Sequence, residues 1–101
     1  MKPTTDQIEA AKRLWKIANG NSGQCEVVAR FLLGLYNGYR FKFDLTDFRR
    51  LDTAIFQDCL NVLVMDYQPQ DEIHEALGIP GAEFERLAKE WNVKEAPTSD
   101  Q

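Results

Sequence analysis

The sequence has few of the residues from which most catalytic and metal sites are built. It contains one histidine, His74, and two cysteines, Cys25 and Cys59, and these three residues match no zinc-binding pattern. It also lacks a phosphate-binding glycine loop, a nucleophile elbow and a metalloprotease helix. His74 stands between Glu72 and Glu75, where a solvated surface role is expected. We therefore predict no catalytic residue, no metal site and no cofactor, and we expect that the protein is not an enzyme.

Long hydrophobic runs are absent as well. No apolar stretch approaches the roughly 20 residues that a membrane-spanning helix needs, and the N-terminus has no apolar core of a secretion signal. We therefore expect a cytoplasmic protein without membrane association. In that compartment its two cysteines remain reduced and serve as small hydrophobic residues.

The composition that is present suits one globular domain. Of 101 residues, 44% are hydrophobic and 28% are charged, which is enough for one modest core. The net charge of −4 is unevenly divided, because residues 1–50 carry nine Lys/Arg against five Asp/Glu and residues 51–101 carry three against eleven. This asymmetry fits either a molecule with two different faces or two halves that pack through complementary charges.

The first two helices are predicted from their ends. Thr4 and Gln7 have the spacing of a capping box, which opens a helix that reaches about Ala18 and ends in a left-handed turn at Asn19-Gly20. A second helix spans about 23–36, with Asn21 or Ser22 as its cap and Asn37-Gly38 as its end.

Val27 and Phe31 lie off the main apolar stripe of the second helix. A helix that is apolar over so much of its circumference is either central to the fold or contacts another chain. We favour the central position. The other interpretation makes Val27 and Phe31 the face of a homodimer.

Asp52 raises a question about the longest periodic stretch, residues 44–67. In one continuous helix Asp52 would lie on the inner face, where an unpaired carboxylate is costly. The favoured interpretation makes Asp52 the cap of a new helix that follows a short turn at 46–51. The alternative buries Asp52 against Arg30 or Arg49.

The remaining elements complete an all-α prediction. A short helix at 71–77 is stopped by Gly78, and a last helix carries a stripe of Phe84, Leu87, Ala88 and Trp91. We predict a compact bundle of four to five helices over residues 1–93, with the 52–67 helix at its centre. Residues 94–101 are predicted to be a disordered tail.

One candidate partner surface alternates basic and aromatic side chains, which suits an acidic protein or a nucleic-acid backbone. The segment at 40–43 is predicted to be either an ordered loop or a short extended segment. An alternative interpretation places Phe41 and Phe43 in the core and leaves the basic side chains solvated. The candidate partner-binding residues are Tyr36, Tyr39, Arg40, Lys42, Arg49 and Arg50.

Three short segments resemble a known family. They are Gly20-Asn-Ser-Gly-Gln24, Phe43-Asp-Leu-Thr-Asp47 and Leu51-Asp-Thr-Ala-Ile55. Together they resemble a family of small uncharacterised proteins from proteobacterial genomes, plasmids and prophages, grouped as a domain of unknown function. The resemblance implies no activity, but it implies a mobile-element context, in which small acidic proteins act by binding a larger complex. That family has small or apolar residues at the positions of Arg49 and Arg50, so the resemblance does not extend to this basic pair.

The resulting functional prediction is a small non-catalytic protein-interaction module, a regulator or inhibitor carried on a mobile element, whose protein partner is unidentified. The alternative is a helix-turn-helix-like regulator that binds nucleic acid through residues 70–91, where a glycine-containing turn joins two helices. The second helix of that unit is acidic, which opposes phosphate binding. Nucleic acid is therefore the less favoured partner.

Overall fold

A computed structural model describes residues 2–69 and 71–97, and every regular element in these ranges is a helix. The predicted all-α fold is therefore confirmed. A 3₁₀ helix at Leu45–Arg50 replaces the short turn that was expected before Asp52. Residues 38–41 form turns and a bend, so the ordered loop is the observed structure at 40–43. The helices are α1 (Thr5–Ala18), α2 (Gly23–Tyr36), a 3₁₀ helix (Leu45–Arg50), α3 (Thr53–Tyr67), α4 (Ile73–Leu77) and α5 (Gly81–Glu90).

Side-chain caps fix the starts of α1 and α2. The Thr4 hydroxyl accepts a hydrogen bond of 3.1 Å from the Gln7 backbone, and the Gln7 side chain accepts one of 2.9 Å from the Thr4 backbone. This pair is the predicted capping box. Ser22 caps α2 by accepting from the backbone of Cys25, which settles the choice between Asn21 and Ser22.

The left-handed turn predicted at Asn19-Gly20 is absent, whereas Gly78 stops α4 as predicted. Gly78 ends α4 in the left-handed region, with φ of 69°, as expected for glycine. Asn19 and Asn37 have φ of −92° and −156°, so α1 and α2 end without a left-handed residue there. Gly20 is required for a different reason, because a Cβ atom at this position would lie 2.6 Å from the sulfur of Cys25.

The most buried helix is α2, and α3 lies at the edge of the fold. α1 packs against both α2 and α3, whereas α2 and α3 make few contacts with each other. The prediction of a central 52–67 helix is therefore wrong. The apolar residues of α3 cover so wide an arc of the helix that their periodicity could not show which side faces the core. The buried side chains of α2 are Val27, Val28, Ala29, Phe31, Leu32 and Leu33.

Burial decides between the two interpretations of Val27 and Phe31. Their exposed fractions are 0% and 3%, and the Phe31 ring packs against the rings of Phe43 and Phe48. The homodimer face predicted at Val27 and Phe31 is therefore covered by the chain itself, and the central interpretation is correct.

Asp52 occupies the N-cap position of α3 and is exposed to solvent. Its side chain does not bond its own helix but accepts a hydrogen bond of 3.2 Å from the Gln24 amide. The Gln24 oxygen in turn accepts one of 2.6 Å from the Asp52 backbone. The alternative in which Asp52 is buried against an arginine is wrong, because Asp52 is exposed. Arg30 pairs with Glu26 instead. The reciprocal hydrogen bonds between Gln24 and Asp52 join the start of α2 to the start of α3.

Ion pairs join the basic first half of the chain to its acidic second half. Arg13 on α1 binds Asp58 on α3 through two hydrogen bonds of 2.9 Å, and Arg40 binds Glu85 on α5. The charge asymmetry thus contributes to packing between the halves, as one of its two interpretations predicts.

The C-terminal end of the described chain is fastened at two places. The Trp91 indole donates a hydrogen bond of 2.8 Å to the carbonyl of Ala18, at the end of α1. The Ala96 backbone donates one of 2.7 Å to the carbonyl of Arg40. Of the tail predicted at 94–101, Glu95 and Ala96 are thus hydrogen-bonded to Arg40, and residues 98–101 lie outside the described ranges.

Candidate interaction surface

Two of the predicted partner-binding residues, Tyr36 and Arg40, bind other parts of the same chain. The Arg40 guanidinium makes two hydrogen bonds of 2.7 Å to the Glu85 carboxylate and two, of 3.0 and 3.2 Å, to Glu95. The Tyr36 hydroxyl donates to Glu85 at 2.8 Å. Arg40 therefore joins the loop after α2 to α5 and to the C-terminal segment, and its charge is used within the molecule.

The hydrogen bonds of this cluster change its acid–base properties. Those from Arg40 and Tyr36 lower the pKa of Glu85 from 4.5 to about 2. The bond to Glu85 raises the pKa of Tyr36, and the two carboxylates raise the pKa of Arg40 above its ordinary range. At neutral pH Glu85 is ionised and accepts charge-assisted hydrogen bonds, which are stronger than neutral ones.

The rest of the loop after α2 divides between core and solvent. Phe41 is buried beneath Arg40, whose guanidinium carbon lies 4.7 Å from the ring centroid. Phe43 is half-buried, and Tyr39 and Lys42 are exposed. The alternative in which Phe41 and Phe43 enter the core is therefore correct for Phe41 and partly correct for Phe43. Only Tyr39 and Lys42 of this loop point to solvent among the predicted partner-binding residues.

Phe48 is the centre of an aromatic cluster that the 3₁₀ helix holds in place. Asp44 caps this helix, because its carboxylate accepts hydrogen bonds from the Thr46 backbone at 2.9 Å and the Thr46 hydroxyl at 2.7 Å. The cap fixes the direction in which Phe48 leaves the backbone. The rings around Phe48 are those of Phe31 at 5.6 Å, Phe43 at 4.9 Å and Phe56 at 5.2 Å between centroids.

Two apolar cavities share Phe48 in their linings. The first, of about 260 Å³, lies between α2, the loop and α3, and its lining includes Lys42, Leu45 and Leu63. The second, of about 240 Å³, lies between the 3₁₀ helix and the start of α3, and its lining includes Arg49 and Phe56. Each cavity thus combines an apolar lining with one basic side chain.

The basic side chains beside these cavities differ in their pairing. Arg50 lies 3.9 Å from Asp47, a weak surface pair. Within the described ranges, Lys42 and Arg49 have no carboxylate within ion-pair distance. Of the six predicted partner-binding residues, Tyr39, Lys42, Arg49 and Arg50 therefore remain on the surface.

The outer side of α3 carries exposed apolar residues that are not among the predicted partner-binding residues. Leu60, Val64 and Tyr67 are 38%, 56% and 79% exposed, and Leu45 is 73% exposed. Leu63 joins the two groups, since it is a neighbour of Leu60 on α3 and shares a cavity with Leu45. We call Leu45, Leu60, Val64 and Tyr67 the apolar face. Contiguous exposed apolar residues commonly mark an interaction site.

A signal for the apolar face was present in the sequence. Positions 56, 60, 63 and 67 are all apolar or aromatic and follow the 4-3-4 spacing of a helix-pairing seam. Asp58 and Asp66, the two charged residues of α3, lie away from this seam. An uncharged stripe opposite the buried one predicts a helix that is apolar on two sides.

His74 and the acidic side chains are the residues most suited to bind a metal ion or to transfer a proton. Among the described residues, no three His, Cys, Asp or Glu side chains lie close enough to hold a metal ion. His74 is half-buried rather than solvated, because its ring packs edge-on against Tyr36 and Phe84. Its Nδ1 atom is buried without a hydrogen-bond partner in the described part of the chain.

The two cysteines have different environments. Cys59 is buried on α3, and burial raises the pKa of its thiol to about 12. Cys25 is half-buried, and although burial acts to raise its pKa, hydrogen bonds from Ser22 and the preceding backbone lower it. Both thiols are free.

The helix-turn-helix alternative rests on α4 and α5, and Gln70 of that unit lies outside the described ranges. Arg86 is held by Glu83 at 3.0 Å, by Glu90 at 2.7 Å and by Asn19 at 2.9 Å. Of the basic residues on α5, only Lys89 is left exposed without a partner in the ranges described. One exposed lysine on an otherwise acidic helix gives little attraction for phosphate.

None of the helices in the described ranges has both the length and the apolar character needed to cross a membrane. Comparison with known proteins found no similar curated protein and no similar solved structure. A protein family does match, and it covers residues 8–92, nearly the whole helical domain. The chain therefore belongs to the family of unknown function called DUF7673.

Proposed function

We propose that the protein is a non-catalytic interaction module, a regulator or inhibitor encoded on a mobile element that acts by binding a larger protein complex. The observation that carries this proposal is the apolar face, whose four large side chains are exposed and whose Leu45 shares a cavity with Lys42. Solvent contact of such side chains has a free-energy cost that a bound protein removes. The mobile-element context rests on the resemblance of the three short segments.

Affinity capture from a native host lysate tests this function. The full chain is expected to recover a protein partner at constant stoichiometry, with or without nuclease. The variant Leu60→Glu with Val64→Glu places charges on the apolar face and is expected to reduce recovery, because a buried unpaired charge is costly. Lys2→Glu with Lys16→Glu changes the net charge more strongly on residues that do not belong to the face, and it serves as the control.

Two results would refute the interaction module. One is the absence of any protein recovered above the level of an unrelated bait. The other is recovery that disappears with nuclease, since that result moves the function to nucleic acid. Sedimentation of the purified chain tests whether the partner is a second copy of the same chain.

The nucleic-acid alternative at residues 70–91 remains a prediction, and no observation in the fold favours it. It requires binding to DNA that weakens steeply as salt is added and that is lost in Arg86→Glu with Lys89→Glu. Failure to bind DNA at low ionic strength would eliminate it.

A further inference from the structure

The two cavities beside Phe48 form a pair of similar sites. Their volumes, about 260 and about 240 Å³, lie below the range of roughly 300 to 1,000 Å³ that is usual for small-molecule pockets. Each has room for a large apolar side chain supplied by another molecule. Since Phe48 lines both cavities, the two side chains would both lie beside the same aromatic residue.

The charge beside the cavities indicates the chemistry of the occupant. Lys42 lines the first cavity and Arg49 the second, so each apolar site has a cation at its rim. Of the carboxylates nearby, Asp44 caps the 3₁₀ helix and Asp47 lies near Arg50, and neither forms an ion pair with Lys42 or Arg49. Complementary charge at a rim speeds association and excludes unsuitable partners.

We infer that this pair of cavities binds an acidic amphipathic segment of a protein partner, which inserts one large apolar side chain into each cavity and directs carboxylates to Lys42 and Arg49. The inference rests on the proposed interaction function, gives the chemistry of the partner, and adds a binding site that shares Leu45 with the apolar face. A nucleic acid fits less well, because the linings are apolar and the chain is negatively charged overall, at −4.

Selection of random displayed peptides against the full-length chain tests the inference. The enriched peptides are expected to carry two large apolar residues with Asp or Glu beside them. Their affinity, measured by fluorescence anisotropy, is expected to fall at least about tenfold in Lys42→Glu with Arg49→Glu. Leu45→Glu is expected to weaken binding as well, and since this side chain is exposed the fold is retained.

Matched controls separate the site from general charge. Lys2→Glu with Lys16→Glu makes the same change in net charge on residues that line neither cavity, and it is expected to leave the affinity unchanged. Circular dichroism of each variant is expected to match the parent chain.

Several outcomes would overturn the inference and leave the proposed function standing. They are enrichment of basic or uncharged peptides, binding that is insensitive to Lys42 and Arg49, and binding that depends on Val64 or Tyr67 instead. A failure to enrich any peptide, or an oligonucleotide that competes for the same residues, would also overturn it. The proposed function fails separately, when the lysate capture recovers no protein.

Discussion

Replacing Arg40 tests the view that it holds the fold together rather than contacting a partner. Arg40→Met retains the apolar stem above Phe41 and removes the bonds to Glu85 and Glu95. The depression of the Glu85 pKa from 4.5 to about 2 corresponds to on the order of 3 kcal/mol, of which Arg40 supplies the largest part and Tyr36 a further part that the variant retains. The Glu85 side chain is 38% exposed, so solvent screening reduces the expected loss to about 1.5 kcal/mol.

The loss should depend on pH in a specified direction. Because the folded-state pKa of Glu85 is depressed, its contribution to the free energy of unfolding is present above pH 4.5 and is lost as the pH falls toward 2. Glu95, whose pKa Arg40 also lowers, changes in the same direction. The difference between the parent and Arg40→Met should therefore be largest at neutral pH and should shrink below pH 4.5.

Urea denaturation followed by circular dichroism, at neutral and at acid pH, measures this difference. In thermal melts about 1.5 kcal/mol corresponds to a decrease of roughly 8 °C for a chain of this size. Arg30→Met is the control, since Arg30 has similar exposure but forms only an i,i+4 pair with Glu26, for which about 0.4 kcal/mol is expected. Equal losses in the two variants, or a loss at Arg40 that persists at pH 2, would refute the reasoning.

Three further predictions concern other positions. Gly20→Ala should lower the free energy of unfolding by about 1 to 3 kcal/mol, because its Cβ would meet the Cys25 sulfur, and Cys25→Ala in the same chain should recover part of the loss. Asp66→Asn should raise stability by about 1 kcal/mol at pH 7, since burial and then Glu72 raise the pKa of Asp66 to about 6, and the gain should vanish below its unfolded value of 3.8. A thiol reagent should modify Cys25 in the folded chain and Cys59 only after unfolding.

Each of these predictions has a result that contradicts it. For Gly20, additive effects of the two substitutions would show that the sulfur is not the obstacle. A stability difference at Asp66 that is the same at pH 3 and pH 7 would exclude its ionisation as the cause. Equal rates of modification at the two cysteines, measured by mass spectrometry of the digested chain, would contradict their different burial.

Local chemistry made much of the helical framework predictable. The capping box at Thr4, the serine cap at Ser22 and the left-handed stop at Gly78 depend only on residues close in sequence. The stripe on α5 was also clear, and Phe84, Leu87 and Ala88 are buried as predicted. Asp52 could be placed at a helix start because the continuous alternative required an unpaired buried carboxylate.

The candidate site was less predictable, because it depends on contacts between distant residues. Arg40 could have paired with any of the eleven acidic residues of the second half, and nothing near it in sequence selects Glu85. The exposure of Leu60 and Val64 follows from the position of α3 at the edge of the fold, which its broad apolar arc does not define. Lys42 and Arg49 were selected for their charge, but the cavities beside them form only when Phe48 packs among rings from α2, the loop and α3.

The hydrogen bond between Trp91 and Ala18 also constrains how the chain acquires its structure during synthesis. It joins residues 73 positions apart and satisfies a carbonyl at the end of the first helix with a group that follows the last one. Such a contact requires prior closure of a long loop, so α1 cannot be fully stabilised until Trp91 has left the ribosome. We therefore expect this helical chain to fold more slowly than bundles whose contacts are mainly local.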